Sequence, residues 1–347
     1  MRVNYVRLAL ALCLAAPAAL ACGFHNYMPQ PTLVDRLSAR PDLVLARPDA
    51  NNPYRYVAEI ALGDASLDAE IPFLVDTATR RKLASDPEAY VLFARKGELA
   101  PWERIAFVDE KMSDLLDTVL PQLDAWTTGN SAGRLAYFAT RIEDEDRVIR
   151  RLALREIDQA TYGELKALDL QPDPALILPS LYQPSEVDLL AIRILLLGFS
   201  DSEAASQIVT QGLARVVPVS ANLLGAYATA LIEQQGPDGV ALIAGSYLAD
   251  GTLPPVNREL LVEALAIHAQ TGDPALRSAA QSAVYSAVKE DPALAPMVAR
   301  QFGARFDWSQ VTPLRAALQA EAIRSPGDMI AVAEYVYTGQ RHAPAAN

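Results

Sequence analysis

The sequence predicts an α+β protein in which a small β-barrel domain is followed by an all-helical domain of repeated hairpins. Five short apolar runs bounded by turn residues fall between residues 42 and 108, which is typical of a small barrel or sandwich. From residue 134 onward, apolar residues recur at helical spacing between Gly, Pro and Asp breaks. The chain has 347 residues, 51% of them hydrophobic and 21% charged, which favours two globular domains.

The first 21 residues have the composition of an export signal. Arg2 and Arg7 make a basic start, residues 8–20 are almost continuously apolar, and residues 19–21 form a small-x-small cleavage site before Cys22. No later stretch approaches the roughly 20 apolar residues that span a bilayer. We therefore expect an exported, periplasmic protein whose mature chain begins at Cys22.

The charge balance restricts the partners. Cleavage after residue 21 removes two arginines and no acid, so the net charge changes from −12 to 28 − 42 = −14. Such an acidic chain is not expected to bind nucleic acid, or to adhere to anionic lipid through its overall charge. Cys13 lies in the signal, so one cysteine remains, no internal disulfide is possible and no cofactor is predicted.

Cys22 has two interpretations. Ala19-Leu20-Ala21-Cys22, followed by Gly23, resembles the lipobox of bacterial lipoproteins, in which the cysteine is lipidated. This predicts an anchor to the outer membrane without a spanning helix. Ordinary cleavage would instead leave a free N-terminal cysteine. In that form Cys22, His25 and the terminal amine make a Cys-x-x-His group suited to a soft metal such as copper(I).

The elements follow in chain order. Residues 22–41 are an N-terminal lead-in, in which Thr32 caps a short helix. The predicted strands are 42–47, 54–62, 70–76, 90–95 and 102–108. A helix over 111–123 completes a β-domain of residues 42–126, and the turn-forming run at 126–133 marks a domain boundary.

The helical domain is predicted over residues 134–337, with a disordered tail over 338–347. Its predicted helices include 176–182, 187–197, 203–216, 221–232, 240–248, 258–269, 274–288 and 292–302. Residues 146–157, 186–197 and 273–288 share a capping start, an apolar stripe and a central Ala, which is the pattern that stacked helical hairpins need.

Two resemblances refine these domains. The segment from Cys22 to about Leu123, with its LVLAR first strand and YVLFAR run before Gly97, resembles the netrin-like domain shared with the tissue inhibitors of metalloproteinases, an OB-type barrel. In those inhibitors the N-terminal cysteine binds the protease metal but is also disulfide-bonded. Since a lone mature cysteine cannot form that bond internally, we expect no inhibitory activity.

The region 134–302 resembles HEAT-type helical repeats. The second-helix pattern fits best at Asp146, Val148, Arg150 or Arg151, and Ala153. Such repeats usually serve as scaffolds for protein partners, and the resemblance implies that role here.

Three features of the sequence are candidates for a catalytic role. Asp76-Thr77-Ala78 resembles the active-site turn of aspartic proteases, but the chemistry needs two such aspartates and the chain has one copy. Residues 129–133 fit the Gly-x-Ser-x-Gly elbow of serine hydrolases around Ser131, but no good strand precedes them. His268, near a helix C-terminus, is expected to be structural.

The sequence therefore predicts a non-enzymatic cell-envelope scaffold, lipid-anchored at Cys22, that binds a protein partner through its helical repeats. One alternative is a metal-handling or redox-linked factor that uses Cys22 and His25. A second alternative is a hydrolase that uses Ser131 or Asp76.

Overall fold

The computed structural model describes residues 29–39, 42–63, 65–97, 99–219 and 221–342. These residues form a small antiparallel sheet near the N-terminus and are otherwise largely helical, which confirms the predicted α+β class. They group into two compact units, Pro29–Ser206 and 207–342. No helix in the described ranges has both the length and the apolar character needed to cross a bilayer.

The sheet is open, so the prediction of a closed barrel is wrong. Its strands are β1 (Asp42–Pro48), β2 (Tyr56–Gly63), β3 (Tyr90–Arg95) and β4 (Glu103–Val108). They are hydrogen-bonded in the order β2-β1-β3-β4, with all three pairs antiparallel. The two outer strands, β2 and β4, are not bonded to each other, and closure would require that pairing.

The predicted strand at 70–76 does not form. Only Leu74 makes a bridge, to Arg55, and Pro72 has no N–H to give to a ladder. Ile71 and Val75 instead contribute their side chains to the core beneath the sheet, where they pack with Phe93 and others. The apolar run was therefore a core-filling loop rather than a fifth strand.

The first unit surrounds this sheet with helices. They are α1 (Leu33–Ser38), α2 (Thr77–Ser85), α3 (Glu110–Val119), α4 (Leu123–Thr128), α5 (Ser131–Ala139), α6 (Arg147–Ile157), α7 (Tyr162–Ala167), α8 (Pro174–Ile177), α9 (Leu190–Gly198) and the start of α10 (Glu203–Val216). Short 3₁₀ segments lie at Leu120–Gln122, Leu178–Tyr182 and Pro184–Leu189.

The run at 126–133, for which the sequence predicts a domain boundary, lies inside the first unit. Trp126 belongs to α4, and its ring centroid is 5.4 Å from that of Tyr137 and 5.9 Å from that of Phe138, both on α5. Only Gly129 and Asn130 separate the two helices. The run is a tight helix–helix turn closed by aromatic packing.

The second unit is a helical stack. Its helices after α10 are α11 (Leu224–Gln235), α12 (Pro237–Leu242), α13 (Pro255–Thr271), α14 (Pro274–Glu290), α15 (Ala295–Gly303), α16 (Val311–Gln319) and α17 (Pro326–His342). A π-helical turn at Ile243–Leu248 and a 3₁₀ turn at Pro292–Leu294 complete it.

Alternate helices of this stack form two layers. One layer packs α11 on α13, α13 on α15 and α15 on α17, and the other packs α12 on α14 and α14 on α16. Residues 338–342, for which the sequence predicts disorder, continue α17. A Cβ on Gly339 would lie 2.4 Å from Val311, so glycine allows this close approach, and the His342 ring stacks on Trp308. The rest of the predicted tail, 343–347, is outside the described residues.

Candidate functional site

Cys22 and His25, the predicted lipidation and metal residues, lie outside the described residues, which begin at Pro29. The described chain is held from Thr32 onward. Thr32 caps α1 in a reciprocal capping box with Asp35. The Arg134 guanidinium donates to the Thr32 hydroxyl at 2.6 Å and to the Asp35 carboxylate at 3.1 Å.

A buried carboxylate, that of Glu156, adds to these contacts around Arg134. Glu156 on α6 is fully buried and accepts from the Val34 N–H at 3.0 Å and from Arg134 at 2.7 Å. Burial raises the pKa of Glu156 even though Arg134 opposes that rise. The segment next to the predicted anchor is therefore tied to α5 and α6.

Asp76 is a helix cap. Its carboxylate accepts from the Thr79 N–H at 2.8 Å and from the Thr79 hydroxyl at 2.7 Å, and Arg104 donates to it at 3.0 Å. These hydrogen bonds, the Thr79 N–H first, hold its pKa below the usual range. Asp76 is thus the N-cap of α2.

Ser131 is the first residue of α5. The cap is its neighbour Asn130, whose side-chain oxygen accepts from the Gly133 N–H at 3.0 Å. A Cβ on Gly133 would lie 2.5 Å from the Asn130 amide nitrogen, so this cap requires glycine there. The two glycines of the Gly-x-Ser-x-Gly match therefore belong to a turn and a helix cap.

His268 on α13 is fully buried. Its Nδ1 donates to the Ala264 carbonyl at 2.9 Å, and its Nε2 lies 3.6 Å from a Glu233 carboxylate oxygen. The ring joins α13 to α11 inside the helical stack. This agrees with the structural role predicted for it, and a ring so enclosed does not face a substrate.

Three arginines of the first unit, Arg147, Arg151 and Arg193, surround the Glu186 carboxylate. The Glu186 carboxylate, only 3% exposed, accepts from Arg193 at 2.7 Å and lies 2.6 Å from Arg147 and 2.9 Å from Arg151. Burial would raise the pKa of Glu186, but the three arginines lower it to about 2. Arg147 and Arg151 join α6 to the 3₁₀ segment Pro184–Leu189, and Arg193 joins α9 to it. Since these arginines already hold a carboxylate, they do not offer a free anion site.

Phe306, in the loop after α15, is the most unusual exposed residue of the second unit. Its side chain is 79% exposed, and its φ is +57°, in the left-handed region that bulky residues avoid. The Asp307 N–H donates to the Phe302 carbonyl and the Phe306 N–H to the Gly303 carbonyl, each at 3.0 Å. This is a Schellman motif in which phenylalanine occupies the position that glycine usually takes.

The loop that carries Phe306 is fixed on both sides. Arg305 donates to Glu263 on α13 at 3.1 Å, and the Tyr335 hydroxyl on α17 donates to the Asp307 carbonyl at 2.5 Å. The Trp308 ring lies 5.0 Å from that of Tyr335. Phe306 therefore lies on a loop that is held on both sides.

A row of ion pairs, which we call the polar ladder, crosses the layer that contains α13, α15 and α17. Arg300 on α15 donates to Glu259 on α13 at 2.8 Å and to Asp328 on α17 at 3.1 Å. One turn along α13, burial raises the pKa of Glu263 to about 7, although Arg305 opposes the rise. The ladder links α13, α15 and α17 through carboxylate–guanidinium pairs.

Nothing in the sequence pattern pointed to Phe306. The predicted helix over 292–302 ends at Phe302, so Phe306 falls in a segment for which the sequence pattern assigns no role. The helix ends between them, so Phe302 is fully buried while Phe306 points to solvent. In the ranges that the structure describes, no group of three or more His, Cys, Asp or Glu side chains is arranged to hold a metal ion.

Comparison of the chain with protein-family models, with curated proteins and with solved structures finds no match.

Proposed function

We propose that this protein is a non-enzymatic scaffold of the cell envelope, lipid-anchored at Cys22, that binds a protein partner through its helical stack. The observation that carries the proposal is Phe306. A left-handed backbone costs about 1–2 kcal/mol for a residue with a Cβ. A large apolar side chain that is both exposed and placed at such a cost is typical of a binding residue rather than a packing residue.

The architecture supports the same role. The helices of the second unit pack in two layers, α11–α13–α15–α17 and α12–α14–α16. We interpret these layers as HEAT-type repeats, the architecture that the sequence resemblance implies. Such arrays present long surfaces to other proteins, and Phe306 projects from one of the connecting loops. The partner that fits best offers an apolar pocket for an aromatic ring.

The partner claim is tested by crosslinking in the envelope. The tagged protein is crosslinked in intact cells and the adducts are compared for the wild type, Phe306→Ala and Glu321→Ala. Glu321 is the matched control, because it is exposed, has φ +51° and closes an equivalent Schellman motif after α16. Loss of an adduct only in Phe306→Ala supports the proposal, and an unchanged adduct in that variant overturns it.

The anchor is tested by the intact mass of the protein from the membrane fraction. Acyl chains on Cys22 add their mass to the chain that begins at that residue. A mass equal to the unmodified chain from Cys22 overturns the lipoprotein proposal. In that case copper(I) titration of the free form, with Cys22→Ser as the control, tests the metal-handling alternative.

A further inference from the structure

The turn between α16 and α17 forms a hollow of about 440 Å³. Three of its five lining residues are apolar, Leu318, Ile323 and Met329, and the other two, Glu321 and Arg324, are charged and exposed. A volume of this size falls within the range of about 300–1,000 Å³ that is usual for binding sites. We call this feature the α16–α17 hollow.

The two charges of the hollow have no partner within the part of the chain that the structure describes. Neither the Glu321 carboxylate nor the Arg324 guanidinium forms a hydrogen bond or an ion pair with a described residue. They also do not pair with each other, although three residues separate them. An acid and a base are therefore both available on this surface for a partner from outside the chain.

The surrounding charges are nearly balanced. The other charged residues of α16, of the turn and of α17 as far as residue 334 are Arg315, Asp328 and Glu334. Arg315 offsets Glu334, and Asp328 shares Arg300 with Glu259. This leaves at most one uncompensated negative charge around the hollow, against −12 for the whole chain.

The end of α14, which packs on α16, adds no net charge. Lys289 and Glu290 offset each other, and Asp291 is paired with Arg258. Because like charges across a contact oppose association, a nearly neutral surface is where two copies of an acidic chain can meet.

We propose that the α16–α17 hollow is the contact between two copies of this chain, related by a two-fold axis. In such a contact every pairing occurs twice, so Glu321 of each copy faces Arg324 of the other. The apolar lining supplies most of the binding, and the two ion pairs fix the register. The self-complementary charges select a second copy as the occupant, because the surface carries both members of the pair that it needs.

Exposed apolar side chains at the hollow support the same contact. Met329 is 40% exposed, and Ile330, the next residue of α17, is 68% exposed. In a two-fold contact these side chains pack against the hollow of the opposite copy and leave water. The contact therefore covers two aliphatic side chains in each copy.

The dimer leaves Phe306 available. Phe306 lies before α16 and the hollow lies after it, so the nine residues of α16, about 14 Å in length, separate them. A dimer then presents two Phe306 rings. The inference goes beyond the proposed partner and does not depend on it, because Phe306→Ala should leave the dimer unchanged. Any crosslink from position 321 should be to a second copy of this chain.

The test uses the full chain with Cys22→Ala, which cannot be acylated, in sedimentation velocity over a series of protein concentrations. We expect a monomer–dimer equilibrium. Glu321→Arg and Arg324→Glu each turn two attractive pairs into repulsive ones and should weaken the dimer about 30-fold. The exchange of both charges, Glu321→Arg/Arg324→Glu, restores two attractive pairs and should restore the dimer.

A mixture of the two single variants tests the two-fold geometry. Glu321→Arg and Arg324→Glu should form a mixed dimer, in which each arginine faces a glutamate, although each variant alone associates weakly. An effect confined to one chain would not be rescued by mixing.

The apolar part of the contact is tested by Met329→Ser, which should weaken the dimer about tenfold. Val219→Ser, the matched control, removes an aliphatic side chain that is 78% exposed elsewhere in the second unit and should have no effect. A parent chain that stays monomeric at every concentration overturns the proposal, whether or not the hollow binds another protein. Failure of the single variants to form a mixed dimer also overturns it.

Discussion

Glu263 should make stability depend on pH in a direction opposite to that of most carboxylates. Its pKa is raised from 4.5 to about 7 because it is buried between α13 and α15. The folded protein then binds the proton more tightly than the unfolded chain. The stabilisation is fullest below about pH 4.5, is lost as the pH rises to about 7, and is constant above that.

The magnitude follows from the two pKa values. The interval from 4.5 to about 7, at roughly 1.4 kcal/mol per unit, corresponds to about 3.5 kcal/mol. Glu263→Gln removes the titration but keeps an oxygen that can accept from Arg305. The variant should match the wild type near pH 4.5 and become more stable than it by up to about 3.5 kcal/mol at pH 7.5.

The assay is urea unfolding of both proteins between about pH 4.5 and 8. Glu259→Gln, one turn earlier on α13, is the control with the opposite sign. Burial acts to raise the pKa of Glu259, but Arg300 and Gln301 lower it, so its stabilisation is present above about pH 4.5 and is lost at lower pH. That variant should be less stable than the wild type at neutral pH. Equal pH dependence in Glu263→Gln and the wild type would refute the reasoning.

Three further substitutions test the packing. Phe306→Gly should leave the free energy of unfolding within about 1 kcal/mol of the wild type, because relief of the left-handed backbone offsets the small area of ring burial that is lost. Glu321→Gly, the control, should behave in the same way. A loss above about 2 kcal/mol in Phe306→Gly would contradict the exposure of its ring. Arg134→Met should cost about 3–5 kcal/mol, measured in urea, because it leaves a buried carboxylate unpaired. Gly339→Ala should lower the melting temperature, at a cost of about 1–3 kcal/mol, whereas Gly245→Ala, with open space around its Cβ position, should not.

The sequence allowed prediction of most of the local structure. The apolar runs predicted the bounds of β1 and β3 to within one residue. The amphipathic stripe from Met112 to Leu120 predicted α3. Asp146 is the N-cap of α6 and Asp273 is the N-cap of α14, as the sequence predicts for the residues that begin these helices. These features depend on neighbours in the chain, which is why periodicity and cap residues were sufficient.

The errors arose where tertiary packing decides the outcome. The run around Pro72 has strand-like composition, but its side chains fill the core from a loop. The turn-forming residues around Asn130 look like a linker, but aromatic rings close the two flanking helices over it.

The most direct test of the central claim is photo-crosslinking from position 306 in living cells. A photoreactive phenylalanine analogue replaces Phe306 in one strain and Glu321 in a second, and the adducts of each are compared by mass spectrometry. The proposal predicts one dominant protein adduct from position 306 that is absent from position 321. The same adducts from both positions, or none from position 306, would contradict a partner-binding role for the helical stack.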